Sequence, residues 1–421
     1  MIILYTFFQF ILLPFLFPPL AAIAILVPKY RARTLRRLGI GLKRDSPNNS
    51  GKTIWVHALS VGEVTSALPL VSGLRKEMPD ARLVFSASSR AGAEVAEKIL
   101  HGKVDQFIPF PFDIIPVIKR FLGIIQPDIF IQVETDFWPG ILSVLKQQNI
   151  PSLLVNGRIS ERSMKAYKRF SFIFQPLFAS FHTLSMQNEK DKENMISLGV
   201  DRRQIKTLGN LKYDTALYST SARNQRLPFN LPEYKHLFVA GSTHPGEEEI
   251  ILQSYKKLKE QFPELYLIIA PRKPERGKEI QILASGKGLQ ANCRSQINAG
   301  GRDLFILDCI GELNLSYSHA DYAFVGGSLV KKGGHNPIEP AIFAVPVLFG
   351  PNMDDFLEIS KQLLEVNGAI MIHEHKTLTA VLKKLITNTT FSRATGNAAQ
   401  SFIHSQQGVI KRHTELIKGL L

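Results

Sequence analysis

At 421 residues the chain is too long for one ordinary core, which predicts two domains plus additional segments. Hydrophobic residues make up 45% and charged residues 21%, and no low-complexity tract or solenoid-length repeat occurs, so disordered, fibrous and repeat classes are excluded. A net charge of +15 asks for an acidic partner, while the two cysteines, Cys293 and Cys309, fit no zinc or redox spacing and indicate a reducing compartment.

Residues 1–28 carry no charged side chain and are rich in Ile, Leu, Phe, Ala and Pro. That apolar length is enough to cross a hydrocarbon core of about 30 Å. Lys29, Arg31, Arg33, Arg36, Arg37, Lys43 and Arg44 then precede the first acid, Asp45. A secretory signal carries its positive charge ahead of the apolar run, whereas here it follows. The pattern predicts an uncleaved membrane anchor with everything after residue 29 on the cytoplasmic side. Pro14, Pro18, Pro19 and Pro28 leave open whether the segment spans the bilayer or lies partly inserted in one leaflet. About half of the positive excess sits in residues 29–50, where anionic inner-membrane lipids would attract it. Nucleic acid is not expected as a partner, because no basic stripe is interleaved with aromatics and no helix-turn-helix or zinc-finger pattern occurs.

From Thr53 short β-rich runs alternate with helical patterns. TIWVHAL, RLVFSAS, QFIPF, DIFIQV, PSLLVN, HTLSM and QIKTLG predict strands, with helices near 62–77, 90–100, 113–124, 138–148, 163–179 and 188–198. Such alternation predicts a parallel sheet covered on both faces, with ligands gathering at the strand C-termini. Polar residues stand at those ends. Glu63 follows the first strand as Ser60-Val61-Gly62-Glu63; a Glu in a first turn serves as cap or dipole partner, and in a cleft it serves as a general base. Glu134 and Asp136 close the fourth strand together with Trp138, and two carboxylates at one strand end repel unless something binds between them. Asn156 and Arg158 follow the fifth strand, and Lys212 ends the run Gly209-Asn210-Leu211-Lys212. The basic stretch 158–170, with Met164, Tyr167 and Phe170 at helical spacing, reads as an amphipathic helix that is either a solvated face or a membrane contact.

Residues 214–235 are polar and contain prolines, as a linker would. A second alternating series follows: LFVAGS, a helix near 246–261, LYLIIA, a helix near 275–287, LFILD, a helix near 312–319, a strand over 322–325 and, after a glycine-rich turn and a helix start, a second buried strand over 345–349. Arg272 and Lys273 follow LYLIIA directly. Gly311, Glu312 and Leu313 open a helix and offer amide donors to a ring or a phosphate. The stretch 325–350 combines Gly326, Gly327, Gly333 and Gly334 with Asn336 as N-cap, Pro337 at the first helical position and Glu339 in the first turn. Those glycines let backbone approach a ligand, and the helix N-terminus would receive an anion. A carboxylate at Glu339 would repel a phosphate and is better placed to accept from sugar hydroxyls, so the stretch points to a nucleotide site. One helix beginning near residue 392 is expected to pass back to the first domain.

HALSVGE (57–63), ETDFWP (134–139), NGRIS (156–160), GNLKYD (209–214), AGSTHPGEE (240–248), PRKPER (271–276) and GGHNPIEP (333–340) occur in this order. Together they closely resemble the 3-deoxy-D-manno-octulosonic acid (Kdo) transferases, over essentially the whole chain. The resemblance implies an α/β chain of GT-B type: an anchor over 1–28, a basic segment over 29–50, a Rossmann-like acceptor domain over 51–213 and a linker over 214–235. A Rossmann-like donor domain over 236–391 then faces the first across a cleft, and 392–421 form the C-terminal helix. It further implies transfer of Kdo from CMP-Kdo to the lipid A precursor with inversion, in lipopolysaccharide synthesis. On this resemblance Glu63 is the general base and Glu134 and Lys212 stabilise the transition state. Pro271, Arg272, Gly311, Glu312, Leu313, Asn336, Pro337, Ile338 and Glu339 hold CMP. Lys273 departs from the family's wording, where His is commoner after Pro-Arg, and the stretch 350–359 matches it less well. No Asp-x-Asp motif occurs in the chain, which predicts transfer without a metal or other cofactor. The rival reading within this architecture is another GT-B nucleotide-sugar transferase or an epimerase.

Overall fold

A computed structural model describes residues 28–43, 51–134, 137–215, 225–296 and 299–421, besides positions 15 and 18. The expected anchor over 1–28 lies almost wholly outside the described residues, as do Thr135, Asp136 and much of the linker. Among the described residues no helix is long and apolar enough to cross a membrane. The chain divides into two compact units: one combines the N-terminal part through Asp214 with 408–421, and the other runs from Thr215 to Gln407.

In the first unit a basic helix, α1 (Pro28–Arg37), precedes the alternating series β1 (Thr53–Ala58), α2 (Val61–Glu77), β2 (Arg82–Ala87), α3 (Arg90–Ile99), β3 (Gln106–Pro109), α4 (Ile115–Ile125), β4 (Ile129–Val133), α5 (Pro139–Gln147) and β5 (Ser152–Gly157). It continues through α6 (Glu161–Arg169), α7 (Ser171–Phe178), β6 (Thr183–Met186), α8 (Glu189–Ser197), β7 (Ile205–Thr207) and the single turn α9 (Lys212–Thr215). The seven strands are parallel in the order β3-β2-β1-β4-β5-β6-β7. Both faces are covered, so β1 and β4 are buried along their whole length rather than at alternate residues, and are apolar except for Thr53 and His57 in β1 and Gln132 in β4. Ile54, Val56, Ile129 and Ile131 point to one core layer, and Trp55 and Phe130 to the other.

The helix expected over 163–179 is two helices, because Phe170 leaves helical geometry at φ −112°, ψ 38°. Met164 is buried and Tyr167 packs its ring on Phe174 and Phe178, so this face of α6 belongs to the core. Phe170, Phe172 and Ile173 are left exposed beside the basic residues of α6.

In the second unit β8 (His236–Thr243), α10 (Glu247–Gln261), β9 (Leu265–Pro271), α11 (Gly277–Gly286), β10 (Ala291–Cys293), β11 (Leu304–Ile306), α12 (Leu313–Ser318) and β12 (Tyr322–Val325) follow one another. After them come α13 (Ile338–Ala341), β13 (Val347–Phe349), α14 (Leu357–Glu365), β14 (Ala369–Met371), α15 (His375–Thr387) and α16 (Thr389–Gln406). This sheet is also parallel and seven-stranded, ordered β10-β11-β9-β8-β12-β13-β14. The edge strands β10 and β14 have three residues each, too short for the apolar-run criterion to register.

The single helix expected from 392 is divided. Gln407 is extended and Gly408 left-handed at φ 83°, which ends α16 and opens α17 (Val409–Lys418). Asp214 accepts from the N–H groups of Gly408 (2.8 Å) and Ile410 (2.6 Å), capping α17 and fixing it to the first unit. Only α17, not the whole of 392–421, belongs to that unit.

Candidate active site

In an open parallel sheet, ligands collect where the strand order reverses, outside the strand C-termini. In the first unit that point lies between β1 and β4, and in the second between β8 and β12. The loops after these four strands carry the motifs around Glu63, Glu134, His244 and Glu339.

In the first unit Glu63 is only 6% exposed, in the first turn of α2. Its N–H donates to the Ser60 hydroxyl (3.4 Å), while its Oε2 accepts from the Leu59 N–H (2.5 Å). The capping arrangement anticipated for a first-turn Glu is therefore present, and it holds the carboxyl at the end of β1. Glu134 directly follows β4 in the left-handed region at φ 65°, and Asn156, the last residue but one of β5, lies there at φ 61°. Such backbone is uncommon for residues other than glycine and concentrates at functional sites. Here it turns both side chains toward each other: Asn156 Nδ2 donates to Glu134 Oε1 at 3.2 Å. Asn156 Oδ1 accepts from the Leu211 N–H (3.1 Å), and its carbonyl accepts from Gln187 (3.0 Å). Asn210 donates to Gln187 Oε1 (3.1 Å) and accepts from the Lys212 N–H (3.0 Å). One hydrogen-bonded chain thus joins Glu134 to the segment that bears Lys212. The sequence marks Asn156 as a polar residue at a strand end and Asn210 as part of the run before Lys212, but gives no sign of Gln187. A further polar group was missed in the same layer: Gln132, the register partner of His57, is fully buried with neither amide atom hydrogen-bonded among the described residues.

In the second unit Pro271 ends β9, opposite Thr243, and the Arg272 N–H donates to the Thr243 carbonyl at 3.0 Å. Arg272 lies close enough that its charge acts on His244, His335 and Glu339. Glu339 is pushed above the usual carboxylate range by burial, opposed by an Asn336 hydrogen bond (3.3 Å) and by Arg272. Gly311 is left-handed at φ 101°, and Leu313 and Tyr317 of α12 pack on Gly241 of β8. The phenol of Tyr317 is held up by burial and by the nearby Glu339 carboxyl, so α12 and α13 meet at this end of the sheet. Pro271, Arg272, Gly311, Leu313, Asn336, Pro337 and Glu339 are therefore gathered in one place. Ile338 is buried and serves packing, and the Glu312 carboxylate is taken by a bidentate pair with Arg294 (2.9 and 3.0 Å).

Two expectations about the stretch 325–350 change. Pro337, rather than Asn336, stands at the N-cap of α13 with helical dihedrals, and Asn336 Oδ1 accepts from the Ile338 N–H at 3.2 Å just ahead of it. This helix is one turn long, and its Ile338 N–H is held by Asn336. The glycines, in turn, face protein. A Cβ at Gly326 would overlap the Ser242 carbonyl, and one at Gly333 or Gly334 would meet Asp355 or Met353. What organises this loop is Glu247, fully buried at the start of α10. Its Oε1 accepts from the Ser328 and Leu329 N–H groups (3.0 and 2.9 Å), and its Oε2 from Gly327 and His244 (2.7 and 2.9 Å). The loop so held presents His335, whose Nε2 lies 2.9 Å from His244 Nε2 with the two rings parallel within 5°.

The fold is shared with UDP-GlcNAc 2-epimerase from Neisseria meningitidis, with a TM-score of 0.60 and 15% identity over 88% of this chain and 99% of that one. The two parallel-sheet α/β units are like those of GT-B glycosyltransferases in fold. A family model for 3-deoxy-D-manno-octulosonic-acid transferase (kdotransferase) matches residues 32–215. The 3-deoxy-D-manno-octulosonic acid transferase of Haemophilus influenzae is 31% identical over 99% of this chain and 98% of its own length. That of Rickettsia bellii is 33% identical over 98% of each chain. The chain belongs to the 3-deoxy-D-manno-octulosonic acid transferase family, and it is a glycosyltransferase.

Proposed function

We propose that the protein transfers Kdo from CMP-Kdo to the lipid A precursor in lipopolysaccharide synthesis, with inversion and without a metal. The second unit holds CMP around Arg272 and Glu339, with the Glu339 carboxyl at the ribose hydroxyls. Glu63 takes the proton of the acceptor hydroxyl as that oxygen attacks the anomeric carbon of Kdo. Glu134 and Lys212, tied together through Asn156 and Asn210, stabilise the charge that develops. The observation that carries this reading is the Glu63 carboxyl, buried and held by the Leu59 N–H at the switch point of the acceptor unit. An anchor over 1–28 would keep the enzyme on the cytoplasmic face of the inner membrane. Support for membrane contact comes from the basic α1 and from exposed Phe170, Phe172 and Ile173 beside Lys165, Lys168 and Arg169.

The test is Glu63→Gln, which keeps the shape and removes the base. Transfer from CMP-Kdo to the lipid A precursor should fall by about 100-fold or more, with CMP binding unchanged. Undiminished transfer would remove Glu63 from the mechanism. Titration with UDP beside CMP separates the rival nucleotide-sugar enzymes, which would prefer UDP.

A further inference from the structure

The histidines His244 and His335 come from loops after adjacent strands, β8 and β12, and meet Nε2 to Nε2 at 2.9 Å. Neither appears among the residues assigned to the nucleotide above. At this distance one ring must donate and the other accept, so the neutral pair carries one Nε2–H between them. A second proton can enter only at the Nδ1 of the donating ring, since two Nε2–H groups would face each other. The pair therefore has room for one additional proton and no more. Among the described residues neither Nδ1 has a protein partner, and the neighbouring Thr243 hydroxyl, itself buried, has none either.

The surroundings favour the neutral pair. His335 is pushed down to about 4 by burial, then by His244 and Arg272. His244 is lowered by burial and then by Lys332, Arg272, Arg276 and Lys273. Against these cations stand three carboxylates. Glu247 is occupied with backbone N–H groups, Glu248 is paired with Arg276 at 2.7 Å, and Glu339 lies by Arg272. Cations thus surround two imidazoles whose charging is disfavoured by burial. An anion placed there would offset Arg272 and supply the missing acceptor for an Nδ1–H.

We propose that His244 and His335 form the phosphoryl subsite of the nucleotide site and take up one proton when a nucleoside monophosphate binds. This rests on the reading of the second unit as the CMP-Kdo site and assigns it a residue pair and a protonation change. In the transfer, the bond from the anomeric carbon to the phosphate oxygen breaks and its electron pair passes to that oxygen. The new bond forms to the acceptor oxygen, whose proton goes to Glu63. The phosphate changes from a singly charged diester to a doubly charged monoester. The added charge develops beside Arg272 and the protonated pair, which stabilise the leaving group more than the donor.

The experiment is calorimetric titration of the full chain in detergent with CMP, near pH 7.5, in two buffers of different ionisation enthalpy. Above the second phosphate pKa of about 6, CMP brings little proton of its own. The expected result is uptake of about half to one proton per CMP and none with cytidine. Affinity should rise by up to tenfold per pH unit as pH falls toward the phosphate's own pKa. His335→Gln and, separately, His244→Asn should abolish the uptake and weaken CMP binding while leaving cytidine binding in place. Equal heats in the two buffers with intact CMP binding would overturn the proposal and leave the CMP site standing. Uptake that survives both substitutions would overturn it as well, since the proton would then land elsewhere. Failure of the wild-type chain to bind CMP would refute the donor-site reading itself.

Discussion

Glu247→Gln is the sharpest test of what builds the donor-side loop. The carboxylate is fully buried and receives four backbone N–H groups, two on each oxygen, at 2.7 to 3.0 Å. Glutamine has the same shape but replaces one oxygen by an NH2, so two buried N–H donors would face a donor. Each unsatisfied buried group costs about 1–3 kcal/mol, or about 2–6 kcal/mol for both. Part is recovered because burial raises the Glu247 carboxyl above its ordinary range, and a neutral side chain avoids that desolvation. The net cost should be about 2–4 kcal/mol, concentrated in the loop after β12. Hydrogen exchange followed by mass spectrometry should show the amides of 327–329 opening about 30-fold faster or more. CMP affinity should fall with them, because His335 rides on this loop. Glu249→Gln, on the exposed side of the same turn, should leave exchange unaltered. Exchange at 327–329 within about threefold of wild type would show that the carboxylate does not hold the loop, whatever its hydrogen bonds.

Two other outcomes are expected. Asn156→Ala should lose about 2–4 kcal/mol of stability and at least tenfold in turnover, since it breaks the bonds to Glu134 and Leu211 and puts alanine, which tolerates left-handed backbone less well than asparagine, at φ 61°. Asn156→Gly should relieve the backbone cost, seen in thermal denaturation, without restoring transfer; equal turnover in the two variants and the wild type would exclude the network from catalysis. His413 is fully buried on α17, donates through Nδ1 to the Val409 carbonyl and pairs Nε2 with Ser185 Oγ at 2.8 Å, and burial pushes it down to about 4. The unfolded chain binds the proton near pH 6.5, so this contribution of about 3 kcal/mol is complete above that pH and is lost as pH falls toward 4. His413→Gln should flatten the denaturation midpoint of the first unit over that window, and an unchanged slope would refute the assignment.

Much of the chain is legible without coordinates, because a strand buried on both faces must be a short apolar run and a helix between parallel strands must carry a repeating apolar face. The interior strands of both sheets, the helices between them and the polar residues at their ends follow from that. Glu63, Glu134, Lys212 and Arg272 stand out as polar side chains in the turns that follow apolar strands, and Glu339 as a carboxylate in the first turn of a helix. The same rule fails at the edge strands β10 and β14, whose three residues are too few to form a pattern, and at Phe170, where local geometry divides one periodic run into two helices.

Strand order is a different kind of information. The chain visits β1 and β4 more than seventy residues apart, and β8 and β12 more than eighty, yet each pair is adjacent in its sheet. No local pattern specifies that adjacency, because it arises from how the helices cover two faces and where the winding reverses. Asn156 illustrates the consequence: its residue type suits a left-handed turn, but only the neighbouring strands decide that it bridges Glu134 and Leu211. The glycines of 325–350 show the converse, since their freedom was visible and its use, packing against Ser242, Asp355 and Met353, was not. Residue chemistry was thus set by the sequence, and partnership by the tertiary structure, since His244 and His335 become a pair only when β8 lies beside β12.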